Sequence, residues 1–439
     1  MLAFRSLVWR LLRLAGPVAL ARLGIMGMGV VDVMVVGQYR PQELPHQALA
    51  WAPIGVLLVT GIGLLTGVQV LAAREFGAGR RRAAGAAWRR GLVVATLAGL
   101  GAIALVWGLG PQLYTVFGID AALAVPAARV ARILALSMPL HFHYIATALF
   151  LESIQRPLPS VVVMWSANVV NLLLNLVLVP EFGADGSAWA TGGARVVLAL
   201  GVVVWLLRVA DAFELGVRGP VSGTSYRELL GVGAAAALSH AAEAGAFSGM
   251  TMIAGRLGAG EVAAYQILLN VLALMFMAAL GISAATAVLT SDAVGRRDAE
   301  AATRASFVGL AVSFVFATAA ALAILALAEQ LGRAYTADAI LAAQIAGLLW
   351  LVALIMAPDA GQAVAAAALR ARGDNWFPTA SHLVAYALVM PLLGFTLAEK
   401  RAQGVSGLML AILTASVLSC AVLSARLWML RRRLPKVSR

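Results

Sequence analysis

Long apolar runs, each about as long as a bilayer is thick, alternate with short polar breaks along the 439-residue chain. A helix needs about 20 apolar residues to cross a hydrocarbon core. Twelve such runs are present, at 14–36, 48–73, 91–110, 129–151, 161–180, 187–207, 229–254, 262–290, 305–328, 340–369, 379–398 and 406–430. Their long Ala, Leu and Val stretches lack the period-two alternation of the short strands in an outer-membrane barrel. The pattern predicts an all-α integral membrane protein with about twelve transmembrane helices. The first run is full length and contains Arg22 and Asp32, unlike the short apolar stretch of a cleavable signal, so it is expected to remain as an anchor.

The order of runs repeats at half the chain length. Gly37 matches Gly255, Pro139 matches Pro358 and Pro159 matches Pro378, at offsets of 218 to 219. His46-Gln47 falls opposite Tyr265-Gln266, and Phe76-Gly77-Ala78-Gly79-Arg80 opposite Val294-Gly295-Arg296-Arg297. Six helices in each half, an even number, give both halves the same orientation. Such a parallel repeat suits alternating access by rocking of two lobes. A duplication with a purely structural role is the alternative, and charged residues inside the lobes favour the transporter. The expected organisation is an amino-terminal six-helix lobe at 1–208, a cytoplasmic linker at 209–228 rich in Gly, Pro, Ser and charge, and a carboxy-terminal six-helix lobe at 229–439.

Composition agrees with the membrane class: 62% of residues are hydrophobic and 12% charged, about half the charged fraction usual in a soluble protein. The net charge of +13 sorts by side rather than forming a nucleic-acid surface. With residues at the edge of a run assigned to the nearer side, 24 of the 33 Lys and Arg lie on the side of the amino terminus and seven on the other, leaving Arg22 and Arg195 within runs. This asymmetry places both termini, the loop Arg80-Arg81-Arg82 and the tail Arg431-Arg432-Arg433 in the cytoplasm of a cell whose inner membrane holds the chain. The lone Cys420 excludes an intramolecular disulfide and a cysteine metal cluster. His141 and His143, two apart, face different sides of a helix and offer no metal site. No Gly-x-x-x-x-Gly-Lys-Ser/Thr loop is present and no loop is long enough for a nucleotide-binding domain, so ATP would have to be used by another subunit. The reading is a secondary transporter, not an enzyme, with no cofactor beyond a coupling ion and no obligate protein partner.

Of twenty acidic residues, Asp32, Glu243 and Asp359 lie deep inside apolar runs. A charge at the bilayer centre costs at least about 2.5 kcal/mol, so such residues face a bundle interior and commonly bind or move cations and protons. Asn171 and Asn175, four apart, share one helical face, which Asn168 extends. His240 precedes Glu243 by three residues, close enough to order the carboxylate or to relay a proton. Pro358 removes a backbone donor beside Asp359, and either kinks the helix or frees carbonyl oxygens for an ion.

Taken together, these residues resemble the multidrug and toxic compound extrusion (MATE) family, over nearly the whole chain. Val30-Val31-Asp32-Val33-Met34-Val35-Val36-Gly37 is similar to the family's first-helix acidic motif, and Phe76-Gly77-Ala78-Gly79-Arg80 to its second loop signature. Glu243 with Val262-Ala263-Ala264-Tyr265-Gln266-Ile267, and Pro358-Asp359 through Asp374, resemble the seventh, eighth and tenth helices of the branch typified by NorM. The resemblance implies two six-helix lobes around a central cavity and export of organic, often cationic, compounds in antiport with Na⁺ or H⁺. It implies a second-lobe cation site at Glu243 and Asp359, with Na⁺ there in the NorM-like branch. It further implies a first-lobe site at Asp32 with Asn171, Asn175 and Thr191 as polar partners. Arg195 departs from that pattern: paired with Asp32 it would stand in for a bound cation, and otherwise it snorkels or faces a cavity. The alternative function is a flippase for lipid-linked intermediates, which would use Arg22 and Arg195 for phosphate groups.

Overall fold

The computed structural model describes residues 2–115, 119–208, 214–218, 223, 225–336 and 338–431, and among these it contains helices and turns but no strand. In chain order the long helices begin with α1 (Leu2–Tyr39), α2 (Leu44–Gly77) and α3 (Arg81–Leu109). Next come α4 (Ala121–Leu136) and α5 (Met138–Ser153), which meet at a bend of 44° and together form one span. Pro139 lies in the first turn of α5, where its missing N–H costs no helical hydrogen bond. The 51-residue α6 (Leu158–Arg208) is two spans, because Gly183 at φ +58° and ψ −134° reverses the chain within it.

After α7 (Tyr226–Leu257) follow α8 (Ala259–Gly295), α9 (Ala299–Ala326), α10 (Ala339–Ala371), α11 (Trp376–Lys400) and α12 (Gly404–Met429). Among the described residues nine helices, or ten with the bent pair, are long and apolar enough to cross a membrane. Dividing α6 at Gly183 and adding α7, which Glu243, His240 and its Gly/Ala content make less apolar, gives the twelve spans expected. Leu97, Val162, Val177, Val315 and Leu388 stand out on helix exteriors, an apolar surface that lipid rather than water can solvate. The chain is a multi-pass membrane protein.

Two compact units divide the chain, Leu20–Ala237 and Met1–Ala19 with Leu238–Arg439. In the first, α2 packs against α3, α4 and α5 around a core that includes Leu65, Met138, Phe142 and Phe150. The opening turns of α7 belong to it: Gly67 and Gly233 lie against the carbonyls of Leu229 and Leu64, and a methyl on either glycine would collide with that backbone. In the second unit α10 is central, packed by α8, α9 and α12 around Tyr265, Leu349, Ile355 and Met409. Its Gly281 lies against the carbonyl of Ala15 in α1, where a Cβ would come within 2.5 Å. The two glycine contacts form a similar pair, one in each unit, at a spacing of 214 residues (67 to 281 and 15 to 229) rather than the 218 to 219 of the repeat.

A second pair of counterparts fixes the corners. Glu43 accepts a hydrogen bond from the Ala184 N–H at 2.8 Å, next to Gly183. Glu261 accepts from the Val405 N–H at 2.7 Å, next to Gly404, whose φ is +55°. Each carboxylate thereby caps the amino-terminal end of the helix that starts there, where backbone N–H groups lack partners and the helix dipole favours negative charge. Within the expected linker, residues 209–213, 219–222 and 224 lie outside the described residues, as do Arg432 and Arg433 of the basic tail.

Candidate ion and substrate sites

Within Leu20–Ala237, Asp32 is 1% exposed on α1. Its Oδ1 accepts hydrogen bonds from Asn171 Nδ2 at 2.9 Å and Asn175 Nδ2 at 2.8 Å, and its Oδ2 accepts from Thr191 Oγ1 at 2.6 Å. The four-residue spacing of the asparagines and the hairpin at Gly183 bring both halves of α6 to the same carboxylate. Asn171 Oδ1 and Asn175 Oδ1 are buried without hydrogen-bond partners. A half-turn of either amide would exchange its donor for that oxygen, so the site can offer oxygens from four residues, the hard donor set that a Na⁺ ion takes.

Arg195 does not pair with Asp32. Its Nη1 donates to Ser137 Oγ at 2.8 Å and to the Leu134 carbonyl at 3.2 Å, so the guanidinium reaches the break between α4 and α5. The Leu134 carbonyl, which also accepts from the Ser137 N–H and Oγ, lies at the carboxy-terminal end of α4, where the helix dipole favours a cation. Of the two placements left open by the sequence, the structure selects the cavity, since Arg195 lines one within this unit.

In the second unit Asp359 is 6% exposed on α10. Its Oδ1 accepts from Tyr386 Oη at 3.3 Å, Ser416 Oγ at 3.3 Å and Gln362 Nε2 at 3.4 Å. α10 runs unbroken through Pro358, so the proline does not open the helix. Glu243 on α7 faces two histidines: His382 Nδ1 lies 3.1 Å from one oxygen and His240 Nδ1 3.8 Å from the other. The His382 contact is close but misaligned, leaving Glu243 Oε1 and both His382 ring nitrogens without a hydrogen-bond partner. The His382 ring stands edge-on to Tyr386 with centroids 5.7 Å apart. Glu243, His382, Tyr386 and Asp359 therefore follow one another through the apolar core, joined in turn by a charge contact, a ring contact and a hydrogen bond. Tyr386 sits in the wide π-helical turns Leu383–Val389, a distortion that often marks a working segment of a helix. Asp359 also borders an apolar pocket of about 10 Å³ with Phe276, Phe316 and Met356, room for one water or small ion.

Sequence reasoning missed three buried titratable residues. His382 was hidden because its partner Glu243 lies 139 residues earlier. Glu152 fell one residue past the expected end of the fourth run, yet α5 carries it inside at 4% exposure. There it accepts from Gln69 Nε2 at 2.6 Å and pairs with Arg22 Nη2 at 3.8 Å, so the deep carboxylates are more than the three expected. The signal was Arg22 itself, since an arginine inside an apolar run needs a counter-charge. Asp292, buried near the end of α8, pairs with Arg296 at 2.7 Å.

The geometry can be set beside known proteins. The MatE family model matches residues 17–177 and 235–396, one stretch in each half of the chain. The chain belongs to the MatE family. It is 43% identical over 430 residues to the probable multidrug resistance protein NorM of Caulobacter vibrioides, covering 96% of this chain and 91% of that one. To the multidrug resistance protein PmpM of Pseudomonas aeruginosa it is 30% identical, over 88% and 83% of the two chains. The crystal structure of the eukaryotic MATE transporter AtDTX14 superposes with a TM-score of 0.88 at 18% identity, covering 98% of each chain. These MatE relatives are transport proteins rather than enzymes, in agreement with the sequence reading. The first stretch contains Asp32, Asn171 and Asn175, and the second contains Glu243, Asp359, His382 and Tyr386.

Proposed function

We propose that the chain is a multidrug efflux transporter of the inner membrane that exports organic, often cationic, compounds in antiport with Na⁺ or H⁺ by alternating access. One observation carries the coupling. Asp32 and Asp359 are buried, and among the described residues neither has an Arg or Lys within ion-pair distance. A buried carboxylate with no counter-ion in contact favours uptake of a proton or a mobile cation, and this holds most fully for Asp359, since the charge of Arg195 acts on Asp32 from farther off. In the Leu20–Ala237 unit the ligands would be Asp32, Asn171, Asn175 and Thr191. In the other they would be Asp359 with Glu243, where Gln362 Oε1 and Glu243 Oε1 also lack partners. His240 and His382 would order Glu243 or exchange a proton with it. A positively charged substrate and the coupling ion compete for the same negative charge, and that competition is what antiport requires.

The flippase reading loses support at Arg22, whose charge is already met by Glu152. The relatives named for multidrug resistance support export instead. Ethidium retention in cells provides the test. Cells expressing the wild type should retain less dye than cells expressing Asp359→Asn at equal protein level. Equal retention with both proteins in the membrane would reject the proposal.

A further inference from the structure

A cavity of about 440 Å³ lies wholly within the Leu20–Ala237 unit, distinct from the ligands of Asp32. Cavities of 300–1,000 Å³ commonly hold drug-sized molecules. Its walls are apolar and adaptable, with Met26, Met28 and Met164 beside Trp51, Leu58 and Leu198. Three polar side chains converge on it, Gln47, His141 and Arg195, none more than 4% exposed.

Their hydrogen bonds are incomplete in a particular way. Both ring nitrogens of His141 are buried with no partner. Gln47 donates from Nε2 to Ser187 Oγ at 3.2 Å, but its Oε1 has none. Arg195 is anchored through Nη1 to Ser137 and Leu134, which fixes its head at the cavity wall with its guanidinium carbon 5.9 Å from the Trp51 ring centroid. Among the described residues no carboxylate lies within ion-pair distance of it, and the charge of Asp32 acts on it only from farther away. Leaving a buried cation without a contacting anion and two imidazole nitrogens without partners is costly unless something else pairs with them.

We propose that this cavity binds flat aromatic carboxylates, with the carboxylate on Arg195 and His141 and the ring system against Trp51 and the methionines. A planar guanidinium offers two parallel donors that match a carboxylate, and the apolar walls favour an aromatic body over a hydrated inorganic anion. Gln47 Oε1 would then accept from a hydroxyl or amine on the same molecule. The proposal adds an anionic ligand class, beside the cationic one, to the exporter proposed above, and rests on that reading only for its physiological sense.

Equilibrium dialysis of the full-length protein in nanodiscs against 1-naphthoate, 1-naphthamide and 1-naphthylmethylammonium, corrected with empty discs, tests it. Wild type should bind naphthoate at least about tenfold more tightly than naphthamide, the worth of one charge-assisted contact, and the ammonium most weakly. Arg195→Gln should remove the preference for naphthoate and leave naphthamide unchanged. Should Arg195→Gln not fold, Ser137→Ala, which takes away one anchor of the guanidinium, should weaken naphthoate severalfold and naphthamide not at all. Equal binding of naphthoate and naphthamide by wild type, preference for the ammonium, or a variant that weakens both ligands alike would overturn the assignment. Dialysis imposes no ion gradient, so a failure here leaves coupled export standing, and failed export leaves the cavity's ligand standing.

Discussion

Replacing Asp32 by alanine removes the acceptor of three buried donors at once, and the structure sets the size of the effect. Asn171 loses its 2.9 Å bond and keeps a 3.4 Å contact to Thr191 Oγ1; Asn175 loses its 2.8 Å bond and keeps the Asn171 carbonyl at 2.9 Å. Thr191 loses its 2.6 Å bond. In membrane proteins a hydrogen bond between helices is worth about 0.6 kcal/mol on average, so three make about 2 kcal/mol. Asp32→Asn keeps one oxygen for the two asparagines and turns an amide toward Thr191, which costs about one bond, or 0.6 kcal/mol. Thr191→Val should also cost about 0.6 kcal/mol. Equilibrium unfolding in mixed micelles, titrated with dodecyl sulfate, resolves such differences. Asp32→Ala should be about three times as destabilising as Thr191→Val, and Asp32→Asn should resemble Thr191→Val. The reasoning fails if Asp32→Ala costs no more than Thr191→Val, because the three donors would then not depend on the carboxylate. Asp32→Asn, folded but without a charge to compensate, should also lose a substantial part of gradient-driven efflux; unchanged efflux would confine Asp32 to structure.

Further predictions concern packing, the corners and the second site. Gly67→Ala and Gly281→Ala should each destabilise by about 1–3 kcal/mol, because a Cβ meets backbone that cannot rotate away. Gly101→Ala on α3, with nothing within 4 Å, should leave stability equal or higher. Thermal unfolding followed by size exclusion checks all three, and equal midpoints would refute the close contacts. Glu43→Gln and Glu261→Gln remove the charge at a helix amino terminus, worth about 0.3–1 kcal/mol, and should speed amide exchange at Ala184 and Val405. Unaltered exchange at both would deny the capping role. His382→Gln should lower gradient-driven efflux severalfold while Ser248→Ala, whose hydroxyl bonds only its own helix, should not; equal rates would remove His382 from the path between Glu243 and Asp359.

The spans were legible because apolar length is a strong local signal, and only the break at Gly183 and the bend at Ser137 required geometry to place. The repeat was legible in its glycines and prolines, although its deepest expression, the capping of Gly183 and Gly404 corners by Glu43 and Glu261, joins residues more than 140 apart. Asp32 and its partners could be assembled from helical spacing and family resemblance. The surroundings of Glu243 could not, since His382 comes from another helix and its position depends on the packing of α11. Arg195 illustrates the same limit: composition gave it a reason to seek Asp32, whereas the bend after α4 brought the Leu134 carbonyl and the Ser137 hydroxyl to it instead.

Transport by proteoliposomes loaded with ethidium, under Na⁺ or H⁺ gradients imposed high outside, addresses the coupling claim most directly. Wild type should release dye with one gradient or both, faster than without a gradient. Glu243→Gln and Asp359→Asn, shown to be folded, should release it at the rate seen without a gradient. Gradient-driven release that persists in both variants would contradict the assignment of coupling to the carboxylates of the second unit.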